Sequence, residues 1–321
     1  MAAANTALDA SEPASERTPD QGSSHFVTAQ DGLRLHVCEY GGRRASGTPV
    51  VCLAGFTRTV ADFAVLAPAL ANGTPRRRVI AIDARGRGRS DYDSNPQNYN
   101  FTVELADVVS VTIALGVGPA VFVGSSRGGI LTMLMSVAHP TMIAGAVLHD
   151  VGPVIEGKGL MRIKSYVGKV PQPRDFAEGA DILRRLMSAQ FPRLTAEQWL
   201  AAARRNWEMK NGRLTLTYDP RLARTLAAID IERPLPPLWN EFEGLARVPI
   251  MVIRGANSDV LSAPTVAAMR QRRPDLRAIE IPDQGHVPLL EGGELLAQIA
   301  GFVAACDARG RLQPTGRDGH E

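Results

Sequence analysis

"PAVFVGSSRGGIL", residues 119–131, joins one apolar run to another through two serines, an arginine and three glycines. Read as the pattern G-x-S-x-G, the stretch centres on Ser126, which lies between Gly124 and Gly128, whereas Ser125 does not fit the pattern. A sharp strand-to-helix turn crowds the backbone on both sides of its apex, so the positions two residues away require small side chains. The stretch therefore predicts a buried strand, a tight turn that projects the Ser126 hydroxyl, and a helix directly after it.

The rest of the chain repeats this alternation of strands and helices. Residues 25–30 and 33–40 alternate apolar and polar side chains, as half-buried antiparallel strands do. Continuous apolar runs, which are typical of parallel strands buried on both faces, follow at residues 49–54, 78–83, 120–124, 144–150, 248–255 and 278–282. Helices are predicted over residues 102–115, 127–138, 264–273 and 293–306. This order predicts an α/β fold with a mostly parallel, doubly wound sheet and helices on both faces.

Residues 153–240 interrupt the alternation, because they contain amphipathic helical segments and no strongly apolar strand. In one segment Trp199, Ala203 and Trp207 recur at helical spacing, which predicts that they pack in a core. An insertion between two strands can form a cap over the strand ends, where α/β sheets bind their ligands. The predicted organisation is a disordered N-terminal tail (1–24), a core (25–152 and 241–307), a helical cap (153–240) and a C-terminal tail (308–321).

Composition excludes several classes of function. Of the 321 residues, 45% are hydrophobic and 21% are charged, which is typical of a globular protein with a large hydrophobic core. The formal net charge is +3. The basic clusters are short and no aromatic side chains alternate with them, so we expect no nucleic-acid partner. The chain has no run of about 18 apolar residues and no signal-peptide pattern, so we expect no membrane contact and a cytoplasmic location. Its three cysteines do not suggest a disulfide framework or a zinc site.

A nucleophilic serine needs a base, and the loops that follow strands are where such residues meet. Two histidines follow predicted strands: His149 ends the run "AVLH", and His286 lies in "DQGHVPLLE". Two carboxylates are candidates to orient the base. Asp259, in "ANSDVLS", is the favoured prediction, and Asp150 is the alternative.

An oxyanion formed at Ser126 would need backbone N–H donors nearby. The helix that begins after Ser126 offers the amide of Arg127, and the loop "GFTRT" after an earlier strand offers the amide of Phe56. For the side chain of Arg127, pairing with a nearby carboxylate is favoured over contact with an acidic substrate.

Five segments occur in the order found in the α/β-hydrolase superfamily, and over residues 25–306 the chain resembles a capped, serine esterase-like member. They are "LAGF" (53–56), "DARGRGRS" (83–90), "GSSRGG" (124–129), "RGANSDVL" (254–261) and "QGHVPLLE" (284–291). The second segment is interpreted as a structural turn. The family order of serine, acid and histidine requires a late histidine, which selects His286 as the base. A serine nucleophile also argues against haloalkane dehalogenases and epoxide hydrolases, which use aspartate.

The resemblance implies a serine hydrolase that cleaves carboxylic esters through an acyl-enzyme on Ser126. In this hypothesis His286 is the base, Asp259 orients it, and the amides of Phe56 and Arg127 form the oxyanion hole. The expected partner is a small-molecule ester, with no cofactor and no metal. A lactonase or a C–C bond hydrolase on the same three residues is the alternative, and a non-catalytic ligand-binding protein of the same fold is a further one.

Overall fold

A central eight-stranded sheet forms the body of the protein in a computed structural model that describes residues 22–227, 229–230 and 234–310. Its strands are β1 (Ser23–Thr28), β2 (Arg34–Tyr40), β3 (Val50–Leu53), β4 (Val79–Ile82), β5 (Ala120–Ser125), β6 (Ile143–His149), β9 (Ile250–Gly255) and β10 (Arg277–Ile281). Their order across the sheet is β1-β2-β4-β3-β5-β6-β9-β10. The pairings of β1 with β2 and of β2 with β4 are antiparallel, and the other pairings are parallel. The predicted fold class is confirmed.

Helices cover both faces of the sheet, because the buried strands are apolar on both sides. The helices of the body are α1 (Leu66–Ala71), α2 (Phe101–Ala114), α3 (Arg127–Ala138), α8 (Trp239–Glu243), α9 (Ala263–Arg272) and α10 (Gly293–Gly310). In β3, Val51 and Leu53 join the cluster under α2, α3, α8 and α9, whereas Val50 and Cys52 join the cluster under α1 and α10. Successive strand residues therefore fill two separate cores.

The insertion between β6 and β9 contains α4 (Gly157–Tyr166), α5 (Phe176–Met187), α6 (Ala196–Asn206), a hairpin of β7 (Trp207–Lys210) and β8 (Arg213–Leu216), and α7 (Ala223–Ala227). It has a hydrophobic core of its own, which includes Trp199, Ala203 and Trp207 as predicted. The hairpin was not predicted. Its turn is Asn211-Gly212, both at positive φ, and an Asn-Gly pair is a strong hairpin signal.

The predicted tails lie mostly outside the described residues, which leave out 1–21 and 311–321. At their inner ends the structure is more regular than predicted, because β1 already begins at Ser23 and α10 continues to Gly310. Within the ranges that the structure describes, no helix has both the length and the apolar character needed to cross a bilayer.

The turn DARGRGRS (83–90) binds parts of the body together. Arg85 is only 1% exposed and forms a two-pronged ion pair with Asp107 of α2, with both distances 2.7 Å. The same guanidinium contacts Asp93 at 2.6 Å and Asp31 at 2.8 Å. Buried charges of this kind require hydrogen-bonded partners. These contacts agree with the interpretation of this segment as a structural turn.

Candidate active site

Ser126 lies between β5 and α3 in a backbone conformation that side-chain-bearing residues rarely adopt, with φ of 49° and ψ of −113°. The turn is possible because its flanking glycines lack a Cβ. A Cβ on Gly128 would collide with the carbonyl oxygen of Leu53, and one on Gly124 would collide with the backbone of Gly128. The predicted strand, turn and helix are therefore confirmed, with α3 beginning at Arg127.

Ser126 is the first member of a hydrogen-bonded chain of three side chains. Its Oγ lies 2.8 Å from Nε2 of His286, and Nδ1 of His286 lies 2.8 Å from Oδ2 of Asp150. Asp150 is fully buried and follows β6 directly. Its carboxylate also accepts hydrogen bonds from the amide of Gly255 at 2.8 Å and from the hydroxyl of Ser258 at 2.7 Å. These donors fix the carboxylate opposite the imidazole.

The prediction that Asp259 orients His286 is wrong in this geometry. Asp259 instead forms a two-pronged ion pair with Arg162 of α4, at 2.7 and 2.9 Å. Burial raises the pKa of Asp259, but the hydrogen bonds and charge of Arg162 outweigh it and hold the pKa below its ordinary value. Asp259 is four residues past the end of β9, and its carboxylate binds Arg162 of α4. Asp150 instead follows directly after β6, the strand that lies between β5 and β9 in the sheet.

The two predicted oxyanion donors are held close to Ser126. Gly55 precedes Phe56, and a Cβ on this glycine would lie 3.7 Å from the Cβ of Ser126. Within the described part of the chain, neither the Phe56 amide nor the Arg127 amide donates a hydrogen bond to the protein. The Arg127 amide is also at the positive end of the dipole of α3. Their assignment to an oxyanion hole stays a prediction.

The buried carboxylate of Glu104, on α2, connects the two loops that carry these amides. One oxygen of Glu104 accepts from Arg127 at 2.6 Å, and the other accepts from Arg87 at 2.8 Å. Arg87 in turn donates to the carbonyl of Phe56 at 2.8 Å. Burial alone would raise the pKa of Glu104, but the two arginine charges outweigh it and hold the pKa below its ordinary value. The Arg127 side chain therefore pairs with a carboxylate, as favoured from the sequence.

Sequence reasoning assigned no role to Ser125, which binds the second strand-end histidine. The Ser125 hydroxyl lies 2.5 Å from Nδ1 of His149, and Nε2 of His149 lies 2.9 Å from the carbonyl of Pro288. Because a carbonyl only accepts, Nε2 carries the proton and Nδ1 accepts from Ser125. Burial lowers the pKa of His149 to about 4, so the ring is neutral at neutral pH. This link fastens the loop of His286 to β5 and β6.

Two cavities, both partly open to solvent, meet at Ser126. The first, of about 110 Å³, lies under α5 and α6 of the insertion and is lined by His286 and by the polar side chains of Arg58, Tyr166 and Arg205. The second, of about 300 Å³, is almost entirely apolar, with Phe101, Leu134, Leu160, Leu226 and Val260 among its walls. A molecule that extended from Ser126 into both cavities would thus contact polar side chains in the first and almost only apolar side chains in the second.

A serine at a strand-to-helix turn, on the carboxyl edge of a mostly parallel sheet, is the arrangement of the α/β-hydrolase fold. Comparison with known proteins makes the assignment specific. The model of the alpha/beta hydrolase family matches residues 50–299, and the chain belongs to that family.

Individual relatives are similar over most of their length. A 3-hydroxybutyrate-oligomer hydrolase from Cupriavidus necator is 34% identical, over 82% of this chain and 91% of that protein. A 2-(acetamidomethylene)succinate hydrolase from Mesorhizobium japonicum is 25% identical, over 83% of this chain and 91% of that protein. The crystal structure of an alpha/beta hydrolase from Novosphingobium aromaticivorans is 36% identical, with a TM-score of 0.78 over 88% of this chain and 98% of that one. These names support hydrolase activity.

Replacing Glu104 by glutamine should destabilise the fold by about 3–5 kcal/mol, because the guanidinium groups of Arg87 and Arg127 would lose their buried counter-charge. Denaturant unfolding followed by circular dichroism measures the change. Glu178→Gln is the matched control, since the ion pair of Glu178 with Arg174 is exposed on the surface and its loss should barely change the free energy of unfolding. Equal effects of the two substitutions would contradict the role given to Glu104.

His149 should make stability depend on pH. Its pKa is about 4 in the fold and 6.5 as the ordinary value, so the unfolded chain binds more protons between these values. The stabilisation from the neutral ring is complete above pH 6.5 and is lost as the pH falls toward 4, by about 3 kcal/mol. Urea unfolding of wild type and of His149→Gln across pH 4–7 tests this. The difference in unfolding free energy between the two proteins should shrink toward pH 4, and a constant difference would contradict a buried neutral ring.

Proposed function

We propose that this protein hydrolyses carboxylic esters through an acyl-enzyme on Ser126, with His286 as general base and Asp150 as the acid that orients it. The observation that carries the proposal is the hydrogen-bonded chain of Ser126, His286 and Asp150, with 2.8 Å between each pair of atoms. Ser126 of this hydrogen-bonded chain lines two cavities, so a bound ester can reach its hydroxyl.

In the first half-reaction the Ser126 Oγ attacks the ester carbonyl while Nε2 of His286 accepts the hydroxyl proton. The carbonyl oxygen gains the electron pair of its double bond and is stabilised by the amides of Phe56 and Arg127. The electron pair then returns, the bond to the leaving alcohol oxygen breaks, and His286 gives its proton to that oxygen. Asp150 stabilises the imidazolium that exists between the two proton transfers.

The second half-reaction releases the acid by the same proton path. His286 accepts a proton from a water molecule, whose oxygen bonds to the acyl carbon. The bond from this carbon to Oγ then breaks, and the proton on Nε2 returns to Ser126. The Ser125–His149–Pro288 link supports both halves, because it holds the loop from which His286 projects.

We further propose that the substrates are short oligoesters of hydroxy acids. The support is the similarity to the 3-hydroxybutyrate-oligomer hydrolase, which covers most of both chains. Such an oligoester extends on both sides of each ester bond, and Ser126 lines two cavities that could take the two portions.

Ser126→Ala should abolish ester turnover and labelling by a fluorophosphonate, because no other atom replaces Oγ as nucleophile. The assay measures hydrolysis of p-nitrophenyl butyrate and of 3-hydroxybutyrate oligomers, with lactones run in parallel. Ser125→Ala is the matched neighbour and should still be labelled. Unchanged labelling of Ser126→Ala would refute the proposal, and a clear preference for lactones would favour lactone hydrolysis on the same residues.

Asp150→Asn should lower kcat by about 10⁴-fold, the scale expected when the residue that holds the histidine tautomer is lost. Asp259→Asn should lower kcat less than about tenfold in folded protein, since its carboxylate binds Arg162. Steady-state kinetics of both variants, with circular dichroism to verify folding, compares the two acids directly. The reverse ranking would restore Asp259 as the acid.

A further inference from the structure

The first cavity has a polar character that ester hydrolysis by itself does not explain. Two arginines, Arg58 and Arg205, line it together with Ser126 and His286, and none of the described residues that line it carries a carboxylate. The remaining walls are largely apolar side chains of the cap, such as Leu183 and Trp199. A cavity of this kind suits a small ligand that combines alkyl groups with a negative charge.

Arg58 is already neutralised by a carboxylate behind the cavity wall. Its Nε and Nη2 atoms lie 2.7 and 2.6 Å from the two oxygens of Asp62, four residues along the chain. In this close two-pronged pair the charge of Arg58 is largely balanced by Asp62. The arginine that remains available is therefore Arg205.

Arg205, on α6 of the cap, has only long contacts with carboxylates. Its Nη1 lies 3.4 Å from Glu291, and its Nε lies 3.7 Å from Asp62. Charge-assisted hydrogen bonds are normally 2.7–2.9 Å long, so neither contact is a close ion pair. The side chain is 16% exposed, and Asp62 is shared with Arg58. Burial and the charge of Arg58 lower the pKa of Arg205 by more than the carboxylates of Asp62 and Glu291 raise it, so these carboxylates do not fully compensate the guanidinium.

We propose that Arg205 binds the free carboxylate of the substrate, so that the preferred esters carry a carboxylate in the portion that occupies the first cavity. This deepens the proposed ester hydrolysis and rests on it. In a linear hydroxy-acid dimer, that portion is the leaving hydroxy acid, and the second, apolar cavity takes the acyl portion. The chemistry recognised is a carboxylate next to short alkyl groups, held by a cation in a partly buried site where solvent screens it weakly.

The test compares two substrates that differ only in charge: the linear dimer of 3-hydroxybutyrate as the free acid, and the same dimer with its terminal carboxylate converted to a carboxamide. Each has one ester bond. Wild type should hydrolyse the acid with a kcat/KM about 10–100 times that of the amide, which is the value of one charge-assisted hydrogen bond. In Arg205→Gln this ratio should fall toward one, mainly through KM, and Arg205→Lys should restore part of it.

Arg204→Gln is the matched control, because Arg204 is the preceding residue of α6, is exposed and does not line the cavity. This variant should keep the wild-type ratio. Equal turnover of acid and amide by wild type would overturn the proposal without any variant. An equal loss of both substrates in Arg205→Gln, with the ratio kept, would also overturn it, since that result indicates a structural role.

A separate binding measurement distinguishes failure of this inference from failure of the proposed chemistry. If wild type hydrolyses neither dimer and no fluorophosphonate labels Ser126, the ester hydrolysis is wrong. Calorimetric titration with 3-hydroxybutyrate then still tests Arg205: binding by wild type that is at least tenfold weaker in Arg205→Gln supports the carboxylate site, and equal or absent binding refutes it.

Discussion

The backbone conformation of Ser126 is the constraint on which the site depends. Its positive φ costs about 1–3 kcal/mol, and the surrounding structure must supply that energy. Because Gly128 has no Cβ, α3 can approach the carbonyl of Leu53. The ends of the paired strands β3 and β5 and the start of α3 therefore meet next to Ser126. Because β6 is paired with β5, the end of β6 is also brought to this point.

The sequence was sufficient for features that local patterns determine. The apolar runs marked the buried strands, and the small residues around Ser126 marked where α3 begins, since both follow from sterics and burial along a few residues. His286 could also be predicted from the sequence, because it is the only late histidine that follows a predicted strand. The Asn211-Gly212 turn was readable as a hairpin signal, but the expectation of a helical cap obscured it.

The choice of acid depended on information that no local pattern contains. Asp150 follows β6, the neighbour of β5, Asp259 follows β9, the next strand in the sheet, and both residues precede His286 in the chain. They differ in their partners: Gly255 and Ser258 donate to Asp150, while Arg162 of the cap neutralises Asp259. Those partners come from distant segments. The same limit applies to the arginines, since composition does not reveal which guanidinium groups have a close carboxylate.

Asp150 also closes the insertion. The chain leaves the sheet at Asp150, forms the cap, and returns through β9, where the amide of Gly255, 105 positions later, donates to the same carboxylate. The Asp150 amide donates to the carbonyl of Ile253, and this hydrogen bond holds the two ends of the insertion side by side. The inserted segment has a hydrophobic core of its own, and hydrogen bonds join the chain segments at its two ends. Because these ends are tied to each other at the reaction centre, the same carboxylate that orients His286 also anchors the segment that supplies the cavity walls.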